Sequence, residues 1–498
     1  MPTRNPQLKS LRRHEVPTWW RDAKLGIFIH WTPASVPGFA PVDSDVGDMV
    51  RSRDPHAMAW SPYTEWYENS LRFPDSPVAH HHRATYGDRD YRSFVADWEA
   101  GLAAWDPDEW AATFAATGAR YVVLVTKHHD GYCLWPSAVE NPRRPGYQCA
   151  RDVVGELGEA VRAQGMRFGV YYSGGLDWTF DDRPMGQLSD MIRAIPRGDY
   201  PEYAAAQVRE LIARYEPSVL WNDIAWPQEA KDLWPLFHEY YDAVPDGVVN
   251  DRWMPWNPLM GGLKFSPARK LVDTAAIKQA KKNAGLIPPE PPFYDVRTPE
   301  YTSFPDIQRR PWECVRGMDL SFGYNAASLP EHFLTRHDLL WSFADMVSKN
   351  GNLLLNVGPR GVDATIPDEQ RQRLTWLGEW VHANEPAVRA TRPWVRPGTE
   401  TAEGTGVRYT ASDETVFAIV ERATPVITLG DLDATRTTAV TTLDGAALAW
   451  TVGGNGLRVE WPPGDGTPDS NLPGSNLPEA AAVGPVVIAC RDVTARPR

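Results

Sequence analysis

The sequence predicts an α/β protein in two parts, a (β/α)8-like, TIM-type barrel over residues 1–392 and an antiparallel β-sandwich over residues 393–498. In the first part, short apolar segments alternate with segments of helical pattern, as they do around a sheet of parallel strands. Polar residues follow strand after strand, which favours a closed barrel over an open sheet, and no glycine-rich nucleotide-binding motif is present. Beyond Thr391 the composition shifts to Thr, Val and Gly in short alternating segments, which indicates the sandwich.

The barrel elements are predicted in chain order after an N-terminal arm of residues 1–24. Each strand is predicted from a largely apolar run, because a parallel strand in a barrel is covered on both faces. The runs lie at residues 24–31, 121–126, 167–173, 218–221, 246–252, 293–301, 319–325 and 352–359. Helices are predicted at residues 107–117, 154–164, 203–215, 336–348 and 368–382.

Three segments fall outside this alternation. The first is a long irregular stretch that ends at about residue 100, and the second is an insertion at about 254–292 that includes a basic helical stretch. The third is a loop rich in Gly, Pro, Asn and Ser from Pro462 to Pro478, which is expected to be mobile.

The overall charge and composition narrow the expected partners. The 498 residues carry a formal net charge of −13, which disfavours nucleic acid and anionic membranes. No run approaches the ~20 apolar residues that a membrane-spanning helix needs. The N-terminus lacks the apolar core of a secretory signal and the four scattered cysteines form no CxxC pair, so we expect free thiols and a cytoplasmic location.

Polar and aromatic side chains follow the predicted strands. The carboxyl ends of barrel strands form the catalytic face, and so many polar groups there are hard to attribute to packing, because burying an unpaired polar group costs free energy. Several tryptophans adjoin polar residues, a combination typical of sugar sites, in which the ring stacks on the C–H face of the sugar. We therefore predict a functional pocket from His30, His128, His129, Asp130, Tyr171, Trp221, Asp223, Asp251 and Arg252, with Glu300 on a later loop.

Metal-assisted hydrolysis is one reaction class for such a pocket. Zinc takes tetrahedral ligands, usually from a spaced pair plus distant partners. His128 and His129 are adjacent, and on a strand they would point to opposite sides and could not bind one metal unless the chain turns between them. No HxH follows the first strand, and the run His80-His81-His82 is more typical of a solvated loop than of a metal tract. We therefore expect no metal and no cofactor.

Glycoside hydrolysis by two carboxylates is the other class. One carboxylate must be ionised to attack the sugar, and the other needs a raised pKa to protonate the leaving oxygen. Asp223 fits the nucleophile because it is short and follows a strand directly. The acid must approach from the leaving-group side, which suits a later loop, so Glu300 is the first candidate and Asp295 its rival.

Five segments carry a resemblance to a known family. They are AKLGIFIHW at residues 23–31, TKHHDGYCLW at 126–135, LWND at 220–223, WEC at 312–314 and NGNLLLNVGP at 350–359. With these motifs in this order, the chain resembles the retaining α-L-fucosidases of glycoside hydrolase family 29 over roughly residues 19–390.

The resemblance implies a barrel followed by a β-sandwich, no metal, and removal of terminal α-L-fucose with retention of configuration. It assigns the nucleophile to Asp223 and the general acid/base to Glu300, which a retaining enzyme holds ~5–5.5 Å apart. The substrate-binding residues that it implies are His30, Glu65, Trp66, His128, His129, Tyr171, Trp221 and Arg252.

Two other functions stay open from the sequence. One is a retaining exo-glycosidase for a related sugar such as α-L-galactose, and the other is a non-catalytic sugar-binding protein on the same scaffold. The expected partner is a fucosylated oligosaccharide or glycoside, and formation of a homo-oligomer is left open. The sequence predicts no linkage preference, although the insertion at 254–292 is expected to shape the leaving-group side of the pocket.

Overall fold

The computed structural model describes residues 5–52, 54, 56–281, 286–462 and 484–497. Apart from Pro462, the predicted mobile loop at 462–478 lies outside the described residues. In the described part of the chain, no helix combines the length and the apolar character needed to span a membrane.

Seven parallel strands form the first sheet. They are β1 Leu25–Ile29, β2 Tyr121–Lys127, β3 Arg167–Tyr172, β4 Val219–Asn222, β5 Val248–Val249, β6 Trp312–Arg316 and β7 Gly351–Val357. Their order in the sheet is β5-β4-β3-β2-β1-β7-β6. All of their residues except Arg167 and Arg316 are buried, as expected for parallel strands that are covered on both faces.

An extended segment joins the two edges of this sheet. Asn250, just after β5, forms an isolated parallel bridge with Val296, and Arg297 forms another with Trp312 of β6. The segment therefore lies between β5 and β6 and closes the ring, at the position where the sequence predicted the barrel to resume. The predicted (β/α)8-like fold is confirmed, with seven regular strands and an irregular eighth position among the described residues.

Two predicted strands differ from the structure. The prediction at 319–325 is wrong, because Asp319 accepts a hydrogen bond from the backbone N–H of Ser321 at 3.1 Å and the chain bends there. The strand of the sheet lies earlier, at β6. The strand predicted at 246–252 shortens to the two residues of β5, because Asn250 turns its side chain to the backbone N–H of Asn222 at 3.0 Å.

Helices surround the sheet. Those up to the fifth strand are α1 Pro6–Leu11, α2 Thr18–Ala23, α3 Val46–Ser52, α4 Tyr67–Leu71, α5 Pro77–Tyr86, α6 Phe94–Gly101, α7 Pro107–Ala116, α8 Val153–Ala163, α9 Leu188–Arg193, α10 Tyr200–Tyr215 and α11 Ala230–Ala243. Those that follow are α12 Ser266–Ala280, α13 Arg336–Ser348, α14 Asp368–Ala383 and α15 Glu385–Val388. The five predicted helices match α7, α8, α10, α13 and α14.

The stretch before residue 100 is helical rather than irregular, since it contains α3 to α6. The Ser76-Pro77 pair in the sequence is a signal for the start of a helix. In the structure, Pro77 occupies the first turn of α5, and the Ser76 hydroxyl accepts a hydrogen bond from the backbone N–H of Ala79 at 3.0 Å. The run His80-His81-His82 consequently lies on α5 and not in a loop.

Antiparallel strands make up the C-terminal part. They are β8 Arg392–Glu400, β9 Gly406–Ser412, β10 Thr415–Val420, β11 Val426–Leu429, β12 Leu432–Thr441, β13 Trp450–Gly453, β14 Gly456–Glu460 and β15 Val486–Ala495. They form a five-stranded sheet, β12-β15-β10-β9-β8, and a three-stranded sheet, β11-β14-β13. Tyr409, Ile427 and Leu457 belong to one apolar core shared by the two sheets, which confirms the predicted sandwich.

Candidate active site

A cavity of about 100 Å³ lies at the carboxyl ends of the barrel strands. All ten residues predicted for catalysis and substrate binding line it: His30, Glu65, Trp66, His128, His129, Tyr171, Trp221, Asp223, Arg252 and Glu300. Asp130 and Asp251, which also follow strands, do not line it. Asp130 accepts a hydrogen bond from Tyr91 at 2.9 Å, and Asp251 accepts one from Thr298 at 2.6 Å, so both have structural partners.

The ends of four neighbouring strands place these side chains together. His30 directly follows β1, His128 directly follows β2, and Asp223 directly follows β4, while Tyr171 lies near the end of β3. Because these strands are parallel neighbours in the sheet, their carboxyl ends lie at one edge and their side chains converge there.

The adjacent histidines both reach the cavity, because the chain turns where the strand ends, which is the exception that the sequence left open. Strand β2 ends at Lys127, and the chain turns at the following residues. The ring centroids of His128 and His129 are therefore only 4.0 Å apart, and both rings line the same wall.

Hydrogen bonds fix which nitrogen of His129 carries the proton. The Ser173 hydroxyl donates to the Leu176 carbonyl at 2.7 Å, so its oxygen accepts the hydrogen bond from Nδ1 of His129 at 2.6 Å. The proton of the neutral ring is thus on Nδ1, and Nε2 is left as an acceptor. Nε2 lies 3.8 Å from a carboxylate oxygen of Asp223.

The same reasoning applies to His30. The side-chain amide of Asn356 donates to the Phe322 carbonyl, which orients its oxygen toward Nδ1 of His30 at 2.6 Å. Nδ1 of His30 is therefore the donor and Nε2 the acceptor. Burial lowers the pKa of His30 and that of His129 to about 4, so both rings are neutral at pH 7. Burial also holds the pKa of His128 well below its ordinary value.

Three donors surround the carboxylate of Asp223. The Tyr171 hydroxyl donates to it at 2.8 Å, the backbone N–H of Ile224 at 2.9 Å, and the Arg252 guanidinium at 3.1 Å. Three donors on one carboxylate leave it little freedom to rotate. The side chain of Asp223 therefore has a fixed orientation in the cavity.

Arg252 connects Asp223 to Glu300. The same guanidinium nitrogen, Nη1, lies 3.1 Å from Oδ1 of Asp223 and 2.6 Å from Oε1 of Glu300. The two carboxylate oxygens can therefore be no farther apart than the sum of these distances. Thr298 accepts from the other guanidinium nitrogens at 3.1 and 3.0 Å, and the guanidinium carbon lies 4.7 Å from the Trp221 ring centroid, so Arg252 is itself fixed.

Glu300 is largely buried, beside Arg252 and Tyr63. Burial raises its pKa, although the cation of Arg252 opposes this shift, and the Tyr63 hydroxyl lies 3.5 Å from its Oε2. Its backbone is paired with Leu286 at the end of the insertion, through hydrogen bonds of 3.0 Å and 2.8 Å in the two directions. A carboxyl group whose pKa is raised by burial is suited to act as a general acid.

The rival acid, Asp295, does not line the cavity. Its oxygens are engaged by the ring of His14 at 2.9 Å, the Tyr241 hydroxyl at 2.7 Å and the backbone N–H of Val249 at 2.8 Å. These hydrogen bonds anchor the chain next to β5, so Asp295 has a structural role.

A further carboxylate, Glu65, also lines the cavity. Burial raises its pKa to about 7, and it accepts a hydrogen bond from the backbone N–H of Gly323 at 3.0 Å. Next to it, the Trp66 ring meets the His129 ring edge to face, with centroids 5.1 Å apart. The cavity of about 100 Å³ thus combines carboxylate, neutral polar and aromatic side chains.

The sequence of residues 2–386 matches the model of a protein family described as Alpha-L-fucosidase. The chain belongs to this family, glycoside hydrolase family 29. It is similar to the α-L-fucosidase of Branchiostoma floridae, with 30% identity over 472 residues that cover 92% of this chain and 91% of that protein. The tissue α-L-fucosidase of Mus musculus is 28% identical over 428 residues, which cover 83% and 79% of the two chains.

A solved structure supports the same assignment. The α-fucosidase of Thermotoga maritima, in complex with fucose, is 37% identical to this chain, with a TM-score of 0.76 over 97% of this chain and 98% of that one. The resemblance stated from the sequence motifs is therefore confirmed, and this member of the family is an α-L-fucosidase, a glycoside hydrolase.

Reasoning from the sequence missed three residues that support this fucosidase site. Glu313 lies under the cavity, where it accepts hydrogen bonds from the Trp221 indole at 3.2 Å and the Tyr121 hydroxyl at 2.7 Å. Its signal was a carboxylate inside the apolar run 312–315 of β6. Ser173 and Asn356 orient histidines; Asn356 had a similar signal, as a polar residue in the apolar run of β7, whereas Ser173 at the end of its predicted strand had none.

Proposed function

We propose that this α-L-fucosidase is an exo-acting, retaining enzyme in which Asp223 is the nucleophile and Glu300 the general acid/base. The observation that supports this most directly is the shared contact of both carboxylates with one nitrogen of Arg252, at 3.1 and 2.6 Å. The sum of these distances is an upper limit on the separation of the two oxygens; it lies below the ~6.5–9.5 Å of inverting glycosidases and is compatible with the ~5–5.5 Å of retaining ones.

The two carboxyl groups differ as the double displacement requires. Asp223, oriented by its three donors, attacks the anomeric carbon of the fucoside while Glu300 gives its proton to the leaving oxygen, and the alcohol departs. Glu300, now an anion, then removes a proton from water, which displaces Asp223 from the same carbon and restores both groups. Two inversions at one carbon give net retention.

The remaining cavity residues match the polar and apolar faces of a deoxy sugar. Nε2 of His30 and Nε2 of His129 are acceptors, so each takes a hydrogen bond from a sugar hydroxyl. Trp66 and Trp221 supply apolar surface for the C6 methyl group of fucose. A hexose that carries a 6-hydroxyl would have to bury that hydroxyl against the same surface without a hydrogen-bond partner. A cavity of about 100 Å³ fits one terminal sugar, which supports exo action.

The test is azide rescue of Asp223→Ala and Glu300→Ala with an aryl α-L-fucoside. In Asp223→Ala, azide replaces the missing nucleophile and attacks from the face opposite the leaving group, so we expect β-fucosyl azide. In Glu300→Ala the fucosyl-enzyme still forms with a good leaving group, and azide then gives α-fucosyl azide. NMR of the products distinguishes the two anomers.

Asp295→Asn is the matched control, because Asp295 lies on the same segment as Glu300 but outside the cavity. It should form no fucosyl azide. An α-azide product from the Asp295 variant, or near-normal hydrolysis of poor leaving groups by Glu300→Ala, would move the acid/base away from Glu300. A fucosylated oligosaccharide or glycoside as the natural partner, the cytoplasmic location and the homo-oligomer stay predictions.

A further inference from the structure

The cavity has a buried floor and a partly exposed margin. Of the residues that line it, seven are partly exposed. Three of these carry charge, namely Asp223, Arg252 and Glu300. The other four are aliphatic, and we call them the apolar rim: Leu188, Met191, Ile224 and Leu286.

One residue of the apolar rim, Leu286, lies where a leaving group must pass, and the other three line the partly exposed margin of the same cavity. The general acid protonates the oxygen of the leaving group, so that group extends past Glu300 toward solvent. Leu286 is paired with Glu300 through two backbone hydrogen bonds, at 3.0 and 2.8 Å, and both residues also line a small adjoining cleft of about 20 Å³. An alcohol released at Glu300 is therefore next to Leu286.

Structure on both sides holds the rim in place. On one side, Leu188 and Met191 belong to α9, and Asp273 of α12 accepts from the Ser189 backbone N–H at 3.0 Å and from its hydroxyl at 2.8 Å. On the other side, Ile224 has a φ of 69°, a left-handed conformation that β-branched residues rarely adopt. Bonds from the backbone N–H groups of Gly175 and Ala225 to the Asp223 carbonyl, at 3.1 and 3.0 Å, fix that turn.

Two polar side chains near the rim, Asp45 and Tyr63, have partners within the protein. In the adjoining cleft, Asp45 accepts from the backbone N–H of Asp48 at 2.8 Å and lies 3.8 Å from Arg51, and Tyr63 donates to Glu300 at 3.5 Å. A second sugar placed against the rim would bury hydroxyl groups against aliphatic carbon, which costs free energy when no partner replaces water. An alkyl or aryl group would instead gain from losing contact with water.

We propose that the apolar rim is a leaving-group site that selects α-L-fucosides of apolar alcohols or phenols over fucosylated oligosaccharides. This inference rests on the proposed function, since it takes Glu300 as the residue that protonates the leaving oxygen. The four rim residues supply contact surface for the aglycone, whereas the buried floor determines which sugar is accepted.

A series of straight-chain alkyl α-L-fucosides, from propyl to hexyl, tests the proposal, because the released alcohols have nearly equal acidity. The expected result is a rise in kcat/KM of about fourfold for each added methylene that the rim covers. The double variant L188N/M191Q replaces two rim residues with polar residues of similar size. It should flatten this dependence and lower the ratio of kcat/KM for hexyl fucoside to that for an α-L-fucosyl-galactose disaccharide.

Leu271→Asn is the matched control, because Leu271 lies on α12, is 73% exposed and does not line the cavity, so the chain-length dependence should persist in this variant. If the wild-type enzyme hydrolyses an aryl α-L-fucoside but its kcat/KM does not change with alkyl chain length, the leaving-group site is contradicted while the proposed function stands. An unchanged slope in L188N/M191Q contradicts the rim in the same way. An enzyme that hydrolyses no α-L-fucoside overturns the proposed function and the rim together.

Discussion

The buried histidines make the stability of the protein depend on pH in a window that can be calculated. Burial lowers the pKa of His30 from 6.5 to about 4. Between these values the unfolded chain binds a proton at His30 that the folded chain does not, so the free energy of unfolding falls as the pH falls. One pKa unit corresponds to about 1.4 kcal/mol, which gives a loss of about 3 kcal/mol from this residue by pH 4.

Urea unfolding of the wild type and of His30→Asn, followed by tryptophan fluorescence from about pH 7.5 down to about pH 4, isolates this contribution from that of other titrating groups. The stability of the wild type relative to the variant should fall by about 3 kcal/mol across the window. His80→Asn, at an exposed position on α5, controls for the removal of an imidazole. A difference between wild type and His30→Asn that stays constant with pH would refute the neutral, buried His30 deduced from the structure.

Two further predictions concern catalysis. Ser173→Ala removes the acceptor that fixes the proton of His129 on Nδ1. Because an unpaired buried N–H costs about 1–3 kcal/mol, kcat/KM should fall about tenfold to hundredfold. ¹⁵N NMR of the imidazole reports the tautomer, which Ser173→Thr should restore. Arg252→Gln removes the cation that opposes the burial-driven rise in the pKa of Glu300, so that pKa should rise further. The alkaline limb of kcat/KM, measured on a fucoside with a poor leaving group, should then move to higher pH, and a shift to lower pH would contradict the assignment.

Sequence reasoning brought the cavity-lining residues together but located some of the surrounding elements wrongly. His30, His128 and Asp223 could be placed because each directly follows an apolar strand, and parallel neighbouring strands bring their ends together. The segment at 319–325 has the alternating pattern of a strand, but the Asp319 carboxylate bonds the backbone two residues later, and this local contact outweighs β-propensity.

Pairings between distant parts of the chain could not be deduced from local patterns. Arg252 and Glu300 are 48 positions apart, and their contact depends on the path of the insertion between them. The acceptor role of His30 depends in turn on Asn356, which lies on the last strand of the barrel. Such contacts follow from tertiary packing, so only the types of residue, and not their partners, were readable from the sequence.

The backbone pairing of Leu286 with Glu300 has an evolutionary and a practical consequence. One strand-like contact fixes both Leu286 of the apolar rim and Glu300, the proposed general acid. On that proposal, a substitution that moves one of these residues moves the other, so aglycone selectivity and the rate of bond cleavage are expected to change together in related sequences. Replacing the 254–292 insertion with a shorter loop removes both hydrogen bonds to Glu300, and is therefore expected to alter the position of the proposed proton donor as well as the substrate range.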